Sequence, residues 1–180
     1  MKIIPQSIED VFLIRPDIHS DERGQFLKLY DDEKLASVLD FKVRQINRSF
    51  NRRKGTFRGL HYQAPPFTEA KIVSCIKGSV SDVILDLRSS SASFMCHAII
   101  ELTAEKADML YLPAGIAHGF ISLEDHTEML YLHDGDYVAG ADAGVNILDP
   151  VTGIVLPLSI ECISDKDKNL PYLSPDFRGI

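Results

Sequence analysis

The sequence predicts a mainly β fold, an antiparallel sandwich or barrel with short peripheral helical segments. Three observations carry this. Short runs rich in Ile, Val, Leu and Phe recur at near-regular spacing, turn residues separate them, and helical spacing shows in one early segment only. No internal repeat, low-complexity segment or linker divides the chain, so residues 1–180 read as a single domain.

Taken in order, Ile8, Val11 and Leu13 suggest a first strand within residues 6–15. Asp21-Glu22-Arg23-Gly24 reads as a turn and Gln25–Tyr30 as a second strand. Asp31–Leu39 has helical spacing at Leu35, Val38 and Leu39, and its acidic first turn suits a helix N-terminus. Val43–Phe50 is a third strand, followed by a basic loop and the strand-like stretch Arg58–Gln63. Ile72–Ile76 and Val80–Leu87 flank Lys77-Gly78, which predicts a hairpin. Phe94–Leu102, Met109–Leu112, Gly119–Leu123 and Glu128–His133 follow as strands, and Val145–Leu148 as a last one in a tail rich in Gly, Pro and Asp.

Apolar residues are 45% of the chain and charged residues 25%, ordinary for a globular protein large enough to bury a core. No apolar run has the length of a membrane span, and Met1–Pro5 does not read as a signal peptide, so the expected location is the cytoplasm with no membrane contact. Cys75, Cys96 and Cys162 have no paired spacing and read as reduced, mostly buried residues. A net charge of −7 argues against nucleic-acid binding. Between Lys42 and Arg58, however, Lys42, Arg44, Arg48, Arg52, Arg53, Lys54 and Arg58 occur without an acid. They form either a solvated basic loop or, the favoured reading, a positive funnel for a small anion leading to His61.

Several residues could carry chemistry beside His61. Lys71 opens a strand, His118 follows the tight turn Pro113-Ala114-Gly115, Tyr131 shares a strand face with Met129 and His133, and Ser164-Asp165-Lys166-Asp167 is a charged knot. Taken singly, each is better explained as structural. Pro113-x-Gly-x-x-His118 resembles half of the signature of the cupin jelly rolls. The other half needs a second histidine two residues after His61, where this chain has Gln63, so a metal-free jelly roll is the expected form.

Together the motifs Arg58-Gly-Leu-His-Tyr-Gln, Lys71-Ile-Val, Asp82-Val-x-x-Asp86-Leu-Arg88, Pro113-x-Gly-x-Ala-His118-Gly-Phe, Leu130-Tyr131, Asp149-Pro150 and Ser164-x-Lys-Asp167 occur here in order. With Asp21-Glu-Arg23-Gly and Gln45-x-Asn47-x-Ser49, this set resembles the dTDP-4-dehydrorhamnose 3,5-epimerase family over residues 8–172. The resemblance implies a cupin-like jelly-roll barrel, a homodimer with an exchanged N-terminal strand, no cofactor, no metal, and a nucleotide-linked 4-keto-6-deoxy sugar as substrate in deoxysugar biosynthesis. It implies His61 as base, Asp167 as its orienter, Tyr131 as acid on the opposite ring face, and Lys71 beside the C4 oxygen. It further implies Arg23, Arg58 and His118 on pyrophosphate and sugar, Gln45 and Asn47 at the nucleotide, Asp142 and Lys166 as further substrate contacts, and the strand bearing Lys28 in the partner's site.

These residue types suit the chemistry. Removing a C–H beside a ketone leaves an enolate. A histidine titrates in the right range, a carboxylate behind it stabilises the imidazolium, and a lysine can hold the enolate oxygen. Inversion requires a second group on the other face. A guanidinium meets phosphate oxygens with two donors.

Departures from the family pattern are not scattered. Lys28 stands where the family has glutamate, Asp136-Tyr137 where it has two tyrosines, Leu132 where it has lysine, Glu69 where glutamine is common, and Leu156-Pro157 where Trp-Pro is frequent. Lys28 and Asp136 concern the nucleotide end: either the nucleotide is not thymidine or the sugar is not the rhamnose precursor, or these positions drifted within an ordinary dTDP enzyme. Two other function classes compete with epimerisation: a catalytically silent cupin binding a nucleotide sugar, and a metal-dependent cupin using His61 and His118.

Overall fold

The structure, a computed structural model, describes Met1–Ile180. In chain order the strands are β1 (Lys2–Pro5), β2 (Phe12–Arg15), β3 (Ile18–Asp21), β4 (Gly24–Leu27), β5 (Gln45–Asn51), β6 (Phe57–Gln63), β7 (Lys71–Lys77), β8 (Ser79–Asp86), β9 (His97–Thr103), β10 (Met109–Leu112), β11 (Ile116–Ser122), β12 (Thr127–His133) and β13 (Asp142–Gly144). Two short helices, α1 (Asp32–Ala36) and α2 (Asp165–Lys168), lie at the periphery. A six-stranded sheet has the order β1-β2-β10-β7-β12-β5 and a five-stranded sheet the order β13-β6-β11-β8-β9. All ladders in them are antiparallel. This is the jelly-roll arrangement that the sequence predicts. No helix is long and apolar enough to cross a membrane.

The core lies in three layers. Val73, Cys75, Leu110, Leu112 and Met129 of the six-stranded sheet meet Val80, Ile84, Leu102, Ile116 and Phe120 of the other. Leu35, Leu39 and Phe41 cover the outer face of the first sheet over Ile14, Ile72, Met109 and Tyr111. The irregular C-terminal segment lays Ile154, Leu156, Leu158, Ile160 and Phe177 over the outer face of the second. Each fully buried Leu, Ile or Phe side chain contributes about 1.5–3 kcal/mol of burial free energy. Because both sheet faces are covered, β8 and β11 are buried at every residue, and the period-two pattern vanishes there.

Four expectations need correction. Residues 6–15 are not one strand: the Val11 amide bonds to the Ile8 carbonyl at 3.1 Å in a turn between β1 and β2. Ile8 and Val11 are buried all the same, which explains their strand-like pattern. Ile72–Ile76 and Val80–Leu87 are strands but not a hairpin, since β7 and β8 belong to opposite sheets. Gly78 (φ +74) carries the chain between them, and a Cβ there would stand 2.7 Å from Thr127 Oγ1. The last strand is Asp142–Gly144, although Val145 still exchanges backbone bonds with Leu60. Of the cysteines only Cys75 is buried; Cys96 and Cys162 are exposed. In addition β3, all four residues of it exposed, was not expected, and α1 stops at Ala36 although Leu39 packs as a helical face would.

Candidate active site

A cavity of about 600 Å³ opens between the two sheets. Strand β6 supplies one wall. Arg58 and His61 both line it, although residues three apart in a regular strand point to opposite faces. A bulge resolves this: His61 pairs with His118 and Arg58 with Phe120, so three steps on β6 oppose two on β11. Gly59 sits inside the bulge with φ +116, and a Cβ on it would lie 2.6 Å from Gly119 Cα and from the His118 carbonyl oxygen.

His61 Nε2 is 2.7 Å from Asp167 Oδ1, and the Gly59 amide donates to Asp167 Oδ2 at 3.3 Å. Local sequence sets this up. Ser164 caps α2 by accepting the Asp167 amide proton at 3.1 Å, which turns the Asp167 side chain inward, 5% exposed, while His61 remains 41% exposed toward the cavity. Burial acts to raise the Asp167 carboxyl, but the bonds from His61, Gly59 and Ser164 outweigh it and hold it below the ordinary carboxylate value. His118 forms a second such pair, Nε2 to Asp82 Oδ1 at 2.8 Å, fully inside the protein.

The six-stranded sheet supplies the facing wall. His133 is in register with Lys71 on one side and Gln45 on the other, and Tyr131 with Val73 and Asn47. Lys71, Tyr131, His133, Gln45 and Asn47 all line the cavity. The Tyr131 hydroxyl is 3.0 Å from Ser49 Oγ, and burial pushes its titration well above that of a free tyrosine, so it stays a phenol. Lys71 is buried; burial lowers its ammonium, against the opposing charges of Glu69, Asp82 and Asp142. At the mouth, Asp142 accepts from Tyr137 at 3.3 Å and from Lys166 at 3.5 Å. Arg58 is steadied by Asn51 Oδ1 at 2.8 Å.

His61, Lys71, Tyr131, Gln45, Asn47, Arg58, His118, Asp142 and Lys166 thus line one cavity, with Asp167 behind His61. Arg23 and Lys28 do not. Arg23 lies in the β3–β4 turn on Asp21, and Lys28 pairs with Asp31 at 2.8 Å. The basic run also resolves into parts: Arg48 and Arg58 reach the cavity, while Arg44 pairs with Asp136 at 3.0 Å. No three His, Cys, Asp or Glu side chains converge as a metal shell. One pair is not assigned by sequence reasoning. Glu69 Oε1 lies 3.0 Å from His133 Nδ1 within the cavity wall. Only the presence of Glu69 where glutamine is common hinted at it.

A family model described as dTDP-4-dehydrorhamnose 3,5-epimerase matches residues 5–175. The chain belongs to that family. Among its relatives, a dTDP-4-dehydro-6-deoxyglucose 3-epimerase of a Streptomyces species is 39% identical over 173 residues, 94% of this chain and 88% of the relative. The solved dTDP-4-dehydrorhamnose 3,5-epimerase of Bacillus anthracis, with TDP and PPi bound, superposes with TM-score 0.93 at 35% identity, over 96% of this chain and 99% of that one. A 3'-monoepimerase of Streptomyces bikiniensis in complex with dTDP-quinovose gives TM-score 0.87 at 36% identity, over 94% and 86%. The family reading made from the sequence motifs is borne out, as is the jelly-roll fold.

Proposed function

We propose that this chain epimerises a dTDP-linked 4-keto-6-deoxy sugar at a carbon beside the ketone, C3, C5 or both, through an enolate. The observation that carries the reading is the disposition of two groups. His61, backed by Asp167, stands on the five-stranded sheet, and the protonated Tyr131 stands on the six-stranded sheet across the same cavity. A ring held between them loses a proton to one side and regains one from the other.

His61 is the base, and Asp167 orients it and stabilises the imidazolium that forms. Lys71, on the Tyr131 side, holds the enolate oxygen. Arg58, with Arg48 near it, meets the pyrophosphate, and Lys166 and Asp142 edge the sugar. His118, already bonded to Asp82, presents its ring edge to Tyr131 and contacts the substrate as a fixed group. Gln45 and Asn47 face the nucleotide. The enolate route moves protons only and needs no redox cofactor.

The β3–β4 ribbon pairs with neither main sheet, and its Phe26 is 74% exposed. We assign it to a second copy, in a homodimer where Arg23 and Lys28 enter the partner's cavity. Asp136 is tied to Arg44 outside the cavity lining while Tyr137 remains in it, which favours an ordinary dTDP site over an altered one. A binding panel of dTDP, CDP, UDP and GDP tests this; preference for another base overturns it.

The activity itself is tested with dTDP-4-dehydro-6-deoxyglucose in D2O. NMR should show solvent deuterium entering at the inverted carbon or carbons. Absence of exchange from every nucleotide-linked 4-keto sugar tried would leave the silent binding reading instead. Stoichiometric iron, manganese or zinc in purified protein would favour the metal-dependent one.

A further inference from the structure

Glu69 and His133 form a third carboxylate–histidine pair in the cavity wall, to which no role has been given above. Their side chains are 7% and 13% exposed. A carboxylate so enclosed needs a compensating charge or donor. Burial alone would raise the Glu69 carboxyl, but the His133 bond, with the charges of His133 and Lys71, outweighs it and keeps the group ionised. The His133 ring, in turn, lies nearly parallel to the Tyr131 ring, with planes 25° apart and centroids 6.3 Å apart.

We infer that the Glu69–His133 pair presents an imidazolium to the face of Tyr131, making His133 a positioning residue that offsets the phenolate formed when Tyr131 gives up its proton. This rests on Tyr131 being the acid, as proposed above. In that step the Tyr131 O–H bond breaks and its proton forms the new C–H bond of the sugar. The negative charge passes from the enolate to the phenolate oxygen, and nothing is oxidised or reduced.

The phenolate forms where burial opposes it most. The groups facing Tyr131 are Ser49 on β5, Arg58 on β6, Cys75 and Lys71 on β7, Asp82 on β8, His118 on β11 and His133 on β12. Ser49 gives only a neutral hydroxyl. Asp82 opposes the phenolate and is already bonded to His118. In the proposed mechanism Arg58 is engaged with pyrophosphate and Lys71 with the enolate oxygen. Two histidines remain: His118 meets the ring in T-shaped geometry and is bonded to Asp82, whose charge opposes the phenolate, whereas His133 is stacked on the ring with Glu69 bonded behind it and Lys71 in register opposite. A glutamine at position 69 could accept the same hydrogen bond without favouring the charged imidazole, so the carboxylate is what makes the arrangement electrostatic.

The test uses the full-length protein and dTDP-4-dehydro-6-deoxyglucose in D2O, following C–H exchange and inversion as separate rates. His133→Asn should slow inversion roughly five- to thirtyfold, the span of one cation–ring contact from exposed to desolvated, and leave exchange unchanged. Any alkaline fall that inversion shows beyond the one it shares with exchange should be lost in His133→Asn and move to lower pH in the near-isosteric Glu69→Gln, while the pH profile of exchange keeps its shape. In a Tyr131→Phe background, His133→Asn should have no further effect. Equal slowing of exchange and inversion, or an added effect in that background, or pH profiles that do not move, would overturn the inference. Wild-type inversion by Tyr131→Phe alone would overturn it together with the Tyr131 assignment. Silence of His133→Asn while Tyr131→Phe is impaired would overturn this inference only.

Discussion

Arg58 and His61 point into the same cavity because the strand that carries them is bulged at Gly59-Leu60. The Arg58 guanidinium and the proposed base thereby stand side by side, at a spacing that a regular strand would send to opposite faces. The bulge depends on Gly59, whose φ of +116 and whose contact with the Gly119 backbone leave no room for a Cβ.

Gly59→Ala is therefore expected to destabilise the protein by at least ~2 kcal/mol, since the atoms it meets are backbone and cannot rotate away. Thermal unfolding would show this as a Tm lower by ~4–8 °C for a chain of this size. Gly24, with φ +125 but open space around it, should tolerate alanine with a smaller loss.

Asp167→Asn removes the charge behind His61 and keeps the shape. Turnover should fall roughly 10²-fold or more, because the imidazolium loses its stabiliser. Stability should change with pH in a defined sense. The Asp167 carboxyl titrates below its ordinary value in the folded protein, so its contribution is present above the unfolded carboxylate range and is lost as pH falls through the folded value. Acid unfolding of Asp167→Asn should be correspondingly less steep than that of the native protein, measured by circular dichroism between neutral and strongly acidic pH.

Lys71→Met should separate function from stability. The enolate loses its cation, and kcat should fall about 10²–10³-fold. The folded protein should be no less stable near neutrality, because a desolvated ammonium is replaced by an apolar chain of similar length. Folding lowers the Lys71 titration, so the unfolded chain binds the extra proton and native stability rises with pH between the folded and unfolded values. The variant should lack that rise in denaturant titrations on the alkaline side.

The proposed strand exchange is tested by complementation. Arg23→Ala and His61→Asn should each be impaired alone. Equal mixtures, unfolded and refolded together, should recover about a quarter of the wild-type sites if one copy's Arg23 serves the other copy's His61. No recovery, with mixed dimers present, would place Arg23 outside the partner's cavity.

Much of the fold was legible because strands such as Lys71–Lys77 and Ser79–Asp86 are rich in β-branched residues and bounded by glycine. Their pairing was not. Lys77-Gly78 has the composition of a hairpin turn, but the outer apolar layers make each strand as hydrophobic as a sandwich interior, and composition does not tell a turn within a sheet from a crossing between sheets. β3 was missed because Ile-His-Ser-Asp carries no buried face at all. At the site, Arg58, His61, Lys71, Tyr131 and Asp167 could be named from motifs. The Glu69–His133 pair could not, since it joins residues 64 apart, and neither has a distinctive local setting. Why Arg58 and His61 share a face was equally hidden, because a bulge is written in the backbone around one glycine.

The central claim is that His61 removes the proton beside the ketone. The most direct test is the rate of solvent deuterium entry into dTDP-4-dehydro-6-deoxyglucose, compared by NMR for the native protein and for a folded His61→Asn variant. Rapid entry with the native protein and a loss of at least ~10²-fold with the variant is the predicted result. Entry at the native rate in the variant would contradict the assignment of His61 as the base.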